Sequence, residues 1–191
     1  MDKRWTKEWT EEEISFFAAM GFSVVTWASA EHSLDLVCAL IFRKYGGNAQ
    51  APRLPKQLEV KLTFLEKCLD AIPRLKKFRR EGRNLTKRFK RVAKKRHDLM
   101  HGSVANLGLP KRGDGYRFHK FDYGRQDFRI RRFKFSPSDF EALSDKLMRL
   151  DTEATVYLGK VVDDLAGRSA KSRPPHRPPR RQNPAKAKGT H

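Results

Sequence analysis

Apolar side chains recur at three- and four-residue spacing along most of this 191-residue chain. No other feature constrains the fold as tightly, because that period demands helices that each bury one face. Thr10 followed by Glu11, Glu12 and Glu13 reads as an N-cap with acids at the positive end of a helix dipole. The helix it opens, over residues 14–45, is either continuous or broken near Gly21, and Gly46-Gly47 ends it. Its inward stripe is Met20, Val24, Trp27, Leu34, Cys38 and Ile41. Pro55 opens a second helix to about residue 71, with Leu58, Leu62, Leu65 and Leu69 inside. Pro73 breaks it, and a short segment over residues 75–80 leads past Gly82. A third helix, residues 85–101, stops at Gly102 as a C′ residue. Ser136 and Pro137 cap the last, whose face is Phe140, Leu143, Leu147, Leu150, Ala154, Tyr157, Leu158 and Val161, up to Gly167.

One region breaks the helical period. Tyr116-Arg-Phe-His-Lys-Phe and Asp127-Phe-Arg-Ile-Arg-Arg-Phe-Lys-Phe alternate aromatic with polar residues, and residues 122–126 supply a turn. That predicts a basic β-hairpin over about residues 115–135. The expected class is therefore all-α: a bundle of four to five helices with a small β-hairpin inserted before the last one. Residues 1–166 form the single domain. Residues 167–191 hold eight Lys/Arg, no acid, five of the ten prolines and no Leu, Ile, Val or Phe, so they read as a disordered basic tail.

The formal charge is +20, and without the tail it is still +12. The excess concentrates in residues 74–96, where thirteen Lys/Arg face the single acid Glu81. Like charges at i,i+4 repel, so a polyanionic partner is the simplest compensation, and nucleic acid is the commonest. No stretch is expected to reach the roughly 18 to 20 uncharged residues of a membrane span. The N-terminal residues show no secretory signal. Cys38 and Cys68 sit in apolar helical patterns and read as reduced core thiols. These features predict a cytoplasmic protein without a membrane partner.

Phosphate loops of the GxxxxGK[ST] or GxGxxG type, HExxH, GxSxG and paired CxxC are all absent from the sequence, and no cofactor is implied. What remains is Arg96-His97-Asp98-Leu99-Met100-His101-Gly102. The Arg-x4-His spacing alone says little, since this composition supplies roughly one such pair by chance. Position says more. The stripe Leu85, Phe89, Val92, Leu99 has its gap filled by Arg96, and the stripe of the first helix has its gap filled by Glu31. An ionisable residue facing a core needs a partner or a cleft. Either Glu31 and Arg96 form a buried ion pair, or both line a site into which His101 points. Asp98 either restrains a histidine or is a plain surface acid. His97 and His101 with Glu31 or His32 would make a weak metal set, and the favoured reading has no metal. His32 alone reads as a packed residue, and His119, His176 and His191 have no role. Phe118 and Phe121, with Arg129 and Arg131, either face the core or form a platform for RNA.

The segment from Arg96 to His101 resembles the Arg-polar-x3-His motif of HEPN-domain proteins, including the polar second residue, the apolar pair before the histidine and the following glycine. The resemblance implies a small α-helical bundle that dimerises, and a metal-independent endoribonuclease of the toxin–antitoxin or phage-defence kind, with RNA as substrate and a cognate antitoxin as a further partner. Members that have lost catalysis only bind RNA or a partner protein. Where a toxin subgroup continues His-x-Tyr, this chain has Ser103. In the catalytic reading His101 is general acid or base, Arg96 stabilises the phosphorane charge, and His97 orients His101 or shares its proton. Glu31 lines the same site. Arg88, Arg91, Lys94, Lys95, Arg129 and Arg131 are the expected RNA contacts.

Overall fold

The computed structural model describes residues 9–104, 115–123 and 128–171. Four helices and a small antiparallel sheet follow in chain order. Helix α1, Glu11–Lys44, opens with the predicted cap. Thr10 Oγ1 accepts from the Glu13 amide at 3.2 Å while Glu13 Oε2 accepts from the Thr10 amide at 3.0 Å, a reciprocal capping box. The helix runs unbroken through Gly21, since one interior glycine costs only about 1 kcal/mol.

Helix α4, Pro137–Lys171, lies along α1. Phe16 meets Phe140, Ser33 meets Thr155 and Tyr45 reaches Val161 and Asp164, so the two helices run parallel. The inward face of α1 differs from the predicted stripe. Trp27, Leu34, Cys38 and Ile41 are buried, but Val24 is exposed and Met20 only half-buried, and Phe16, Ser23, Ala30, Ser33 and Val37 take their places. Small inward residues let two long helices approach closely, and a hydrophobic stripe does not reveal them. It was also masked by apolar residues around the whole helix: residues 14–30 carry no charge. Against expectation, α1 is therefore long and apolar enough to cross a membrane by composition, with a window of mean hydropathy 1.3, though 44% of that window is buried within the protein itself.

Helix α2, Leu58–Ala71, starts three residues after Pro55, and a 3-10 turn over Pro73–Phe78 leads into α3, Arg79–His101. Gly82 lies inside α3 rather than ahead of it. A Cβ there would stand 2.6 Å from Leu69 Cδ1 and 2.7 Å from the Tyr157 hydroxyl, so this glycine lets α2 and α4 close on α3. The α4 helix likewise continues past Gly167 and takes in the first five residues of the segment expected to be tail.

The predicted hairpin forms from β2, Tyr116–Tyr123, and β3, Phe128–Phe135, with Phe118 opposite Phe133, but β2 pairs on through Asp122 and Tyr123, two residues expected in the turn. A third strand, β1, Ser103–Val104, pairs with β2 through Ser103 and His119. It makes the order β1-β2-β3 and grows directly from the end of α3. Gly102 is extended there (φ −83°, ψ 133°), not left-handed. Its missing side chain is required because a Cβ would lie 2.8 Å from the Asp98 carbonyl oxygen. The turn of the hairpin and residues 172–191 of the predicted tail lie outside the described residues.

Candidate functional site

The C-terminal half of α3 is where bundle and sheet meet. Leu85, Phe89, Val92 and Leu99 are buried as the stripe predicts. Arg96 occupies the gap in that stripe with its guanidinium carbon 5.6 Å from the ring centroid of Trp27, which is 3% exposed. Arg96 Nε is buried and has no hydrogen-bond partner among the described residues. Such a donor costs stability unless something else engages it.

The ion pair between Glu31 and Arg96 is not formed. Glu31 Oε2 accepts from Trp27 Nε1 at 2.9 Å, and Glu31 Oε1 accepts from Lys61 Nζ at 3.0 Å. Lys61, its side chain 6% exposed, also reaches Asp35 at 2.5 Å. Burial would lower its pKa, but the hydrogen bonds to Asp35 and Glu31 outweigh burial and hold it above the ordinary lysine range. The sequence pattern contained this residue unnoticed: Lys61 lies three residues after Leu58 and four before Leu65, on the buried face of α2. Arg96 is thus left on the tryptophan face, with Glu31 turned to a different cation.

The two histidines come together as their spacing implies. The His97 and His101 rings lie 4.4 Å apart between centroids, tilted by 48°, and both side chains are exposed. Partial desolvation, then the nearby Lys120 ammonium and His101, hold His97 below the ordinary histidine value.

Asp98 neither restrains a histidine nor sits as a free surface acid. It accepts from Lys120 Nζ at 2.8 Å and from both terminal nitrogens of Arg131, one at 3.0 Å. Burial would raise its pKa, yet Arg131 and Lys120 keep it below the usual carboxylate range. Asp98 therefore ties the hairpin to α3 one residue from His97. It also occupies a side chain expected to contact RNA: Arg131 is committed to Asp98 and Asp122. Arg88 is similarly paired with Glu153. Arg91, Lys94, Lys95 and Arg129 are exposed.

Between α1, α2 and α3 opens a cleft of about 550 Å³ whose walls include Trp27, Leu58, Lys90, Lys94, Arg96 and His97. His101 is not in its lining but stands one ring contact away, at the exposed end of α3. Among the described residues no three His, Cys, Asp or Glu side chains gather in a metal-binding group, and His32 is exposed on α1. Cys38 and Cys68 are buried free thiols, pushed up by burial to about 12 and about 11, which makes them inert. No family model, curated protein or solved structure matches this chain.

The arrangement holds two imidazole rings in contact, next to a guanidinium and a walled cleft with lysines at its rim. Trp27, Lys61 and Lys90 were missed in the sequence, because a tryptophan in an apolar stripe and a lysine in a basic run look unremarkable until the helices are packed.

Proposed function

We propose that this chain is a HEPN-like, metal-independent endoribonuclease. The observation that supports the reading is the His97–His101 ring pair beside Arg96, whose Nε is buried without a partner at the wall of a cleft. A phosphate oxygen is the natural acceptor for such a donor, and arginine offers it a fork of parallel N–H groups. The chemistry then needs one base and one acid. The base removes the proton of a ribose 2′-hydroxyl, and the 2′-oxygen attacks the adjacent phosphorus. The acid protonates the departing 5′-oxygen, leaving a 2′,3′-cyclic phosphate and a 5′-hydroxyl. His97, biased towards its neutral form, suits the base, and His101 the acid. With the ring centroids 4.4 Å apart, both groups can reach one scissile phosphate, so the two proton transfers belong to the pair. Arg96 neutralises charge that develops on the phosphorane.

RNA is the partner that the basic helix α3 favours, its exposed Arg91, Lys94 and Lys95 continuing from the cleft along one surface. A homodimer forms through α1. Ile14, Phe17, Phe22 and Val25 are exposed on it within the uncharged residues 14–30, and two strongly cationic copies repel least across an uncharged face. As a cytoplasmic toxin or phage-defence effector, the protein would be silenced by an antitoxin that covers the cleft. The second reading, a non-catalytic RNA binder, draws on the exposure of both histidine side chains and on the position of His101 outside the cleft lining.

The deciding experiment is cleavage of end-labelled RNA with EDTA present. The enzyme reading expects products ending in a 2′,3′-cyclic phosphate, and none from 2′-O-methyl RNA. Intact RNA with retained affinity would leave only the binder. Cleavage abolished by the chelator would overturn the metal-independent mechanism.

A further inference from the structure

The sheet has a second face that the cleft does not use. Alternation along β2 and β3 turns Tyr116, Phe118 and Lys120 towards the helices, opposite Phe135, Phe133 and Arg131. The other face presents Arg117, Phe121, Phe128, Ile130, Arg132 and Lys134. Among the described residues it holds no acid. Phe121 is 48% exposed, Phe128 60% and Ile130 48%, and the two phenylalanine rings lie 6.5 Å apart.

Core packing does not explain these three side chains. The aromatic rhythm Tyr116, Phe118 would place the next ring at residue 120, facing inward. Instead Lys120 turns inward to Asp98, and Phe121 faces solvent. On the inner face Asp98 holds Lys120 and Arg131, and on the outer face Arg117, Arg132 and Lys134 share the surface with the exposed rings. Single-stranded RNA binds through this combination: aromatic faces stack unpaired bases, and flanking cations track the phosphates.

The face is also connected to the histidines. Ser103, two residues after His101, pairs with His119, and His119 pairs with Arg132. With strands about 4.8 Å apart, this row crosses the sheet from the end of α3 to Arg132 in roughly 10 Å.

We propose that the outer face of the β2–β3 hairpin binds single-stranded RNA, stacking bases on Phe121 and Phe128 and holding phosphates with Arg117, Arg132 and Lys134. The proposal rests on the RNA reading above and adds where the strand lies as it leaves His101.

The test is fluorescence anisotropy of the full chain with a labelled 2′-O-methyl oligouridine of twelve nucleotides. Because that probe has no free 2′-hydroxyl, binding is read whether or not the chain is a nuclease. The double variant Phe121→Ala/Phe128→Ala should bind about 10- to 100-fold more weakly, with its salt dependence unchanged. Arg132→Gln/Lys134→Gln should flatten the slope of log affinity against log salt by about 1.4, the value for two phosphate contacts on a single strand. All four side chains are exposed, so folding should be unaffected, and circular dichroism checks it.

Affinity within threefold of wild type in the phenylalanine variant would overturn the proposal. So would a duplex RNA of equal length that binds as tightly and loses as much. If the phenylalanine variant changes only the sedimentation mass, the face is a contact between copies; if it loses only binding to phosphatidylserine vesicles, the face meets a membrane. Either result with RNA affinity intact defeats the proposal. A wild-type chain that binds no RNA would defeat the nuclease reading as well.

Discussion

Replacing Arg96 by alanine separates the two roles that a charged residue in an apolar stripe can have. Were Arg96 half of a buried ion pair, its loss would strand a carboxylate and cost about 3 to 5 kcal/mol. In a domain of this size that lowers the melting temperature by roughly 6 to 20 °C. The structure gives a different sum. Glu31 keeps Trp27 and Lys61 as partners, so no carboxylate is stranded. What is lost is the guanidinium over the Trp27 ring, about 0.5 to 2 kcal/mol. What is relieved is a buried Nε donor without a partner, about 1 to 3 kcal/mol. The balance runs from about 1 kcal/mol of net loss to about 2.5 kcal/mol of net gain, so the melting temperature should fall by no more than about 4 °C and rise by no more than about 10 °C. Arg96→Met, which keeps the stem over the ring, should lie closer still to wild type. Activity should nevertheless fall about 100-fold or more in both, because the cation placed for the phosphorane is gone. Arg96→Lys, which lacks the bidentate fork, should restore little of it. Scanning calorimetry and RNA cleavage on the same preparations give both readings. A melting temperature more than 10 °C lower in Arg96→Ala, with full activity in Arg96→Lys, would refute this account of the residue.

Asp98→Asn should destabilise the chain by about 2 kcal/mol, less than for a sealed pair because Asp122 lies 3.5 Å from Lys120 and Arg131 is partly exposed. Urea denaturation should show Asp98→Asn/Lys120→Met recovering most of that loss. His97 has its folded pKa below the 6.5 of an unperturbed histidine, so in the window between the two values the unfolded chain takes a proton that the native chain resists. Stability from this source is therefore intact above pH 6.5 and lost as pH falls through the folded value. Urea midpoints at pH 7.5 and 5.5 should differ less in His97→Asn than in wild type, and equal differences would contradict the shift. Deleting residues 172–191 removes six Lys/Arg and should make the salt dependence of RNA binding shallower, by up to about 4 in the log–log slope.

The periodic pattern made the mostly helical class, the capping box at Thr10 and the hairpin legible, because each depends on local chemistry. Side-chain spacing on one helix also foretold that His97 and His101 would meet. Glycine was the weak sign. Gly82 and Gly167 looked like boundaries, but glycine spares space as well as permitting turns, and only packing shows which use applies. The partner of Glu31 was illegible for a related reason. Lys61 and Arg96 become rival partners for one carboxylate only once α2 and α3 pack against α1, and a stripe drawn on each helix separately cannot rank them. Strand β1 has two residues, too few to show a period of two.

Whether the histidine pair beside Arg96 performs the chemistry is tested most directly by the single-turnover cleavage rate of His101→Ala with EDTA present. That rate should be at least about 100-fold below wild type, with RNA affinity within threefold and an unchanged melting temperature, since the His101 side chain is exposed. A His101→Ala chain that cleaves RNA as fast as wild type would contradict that role.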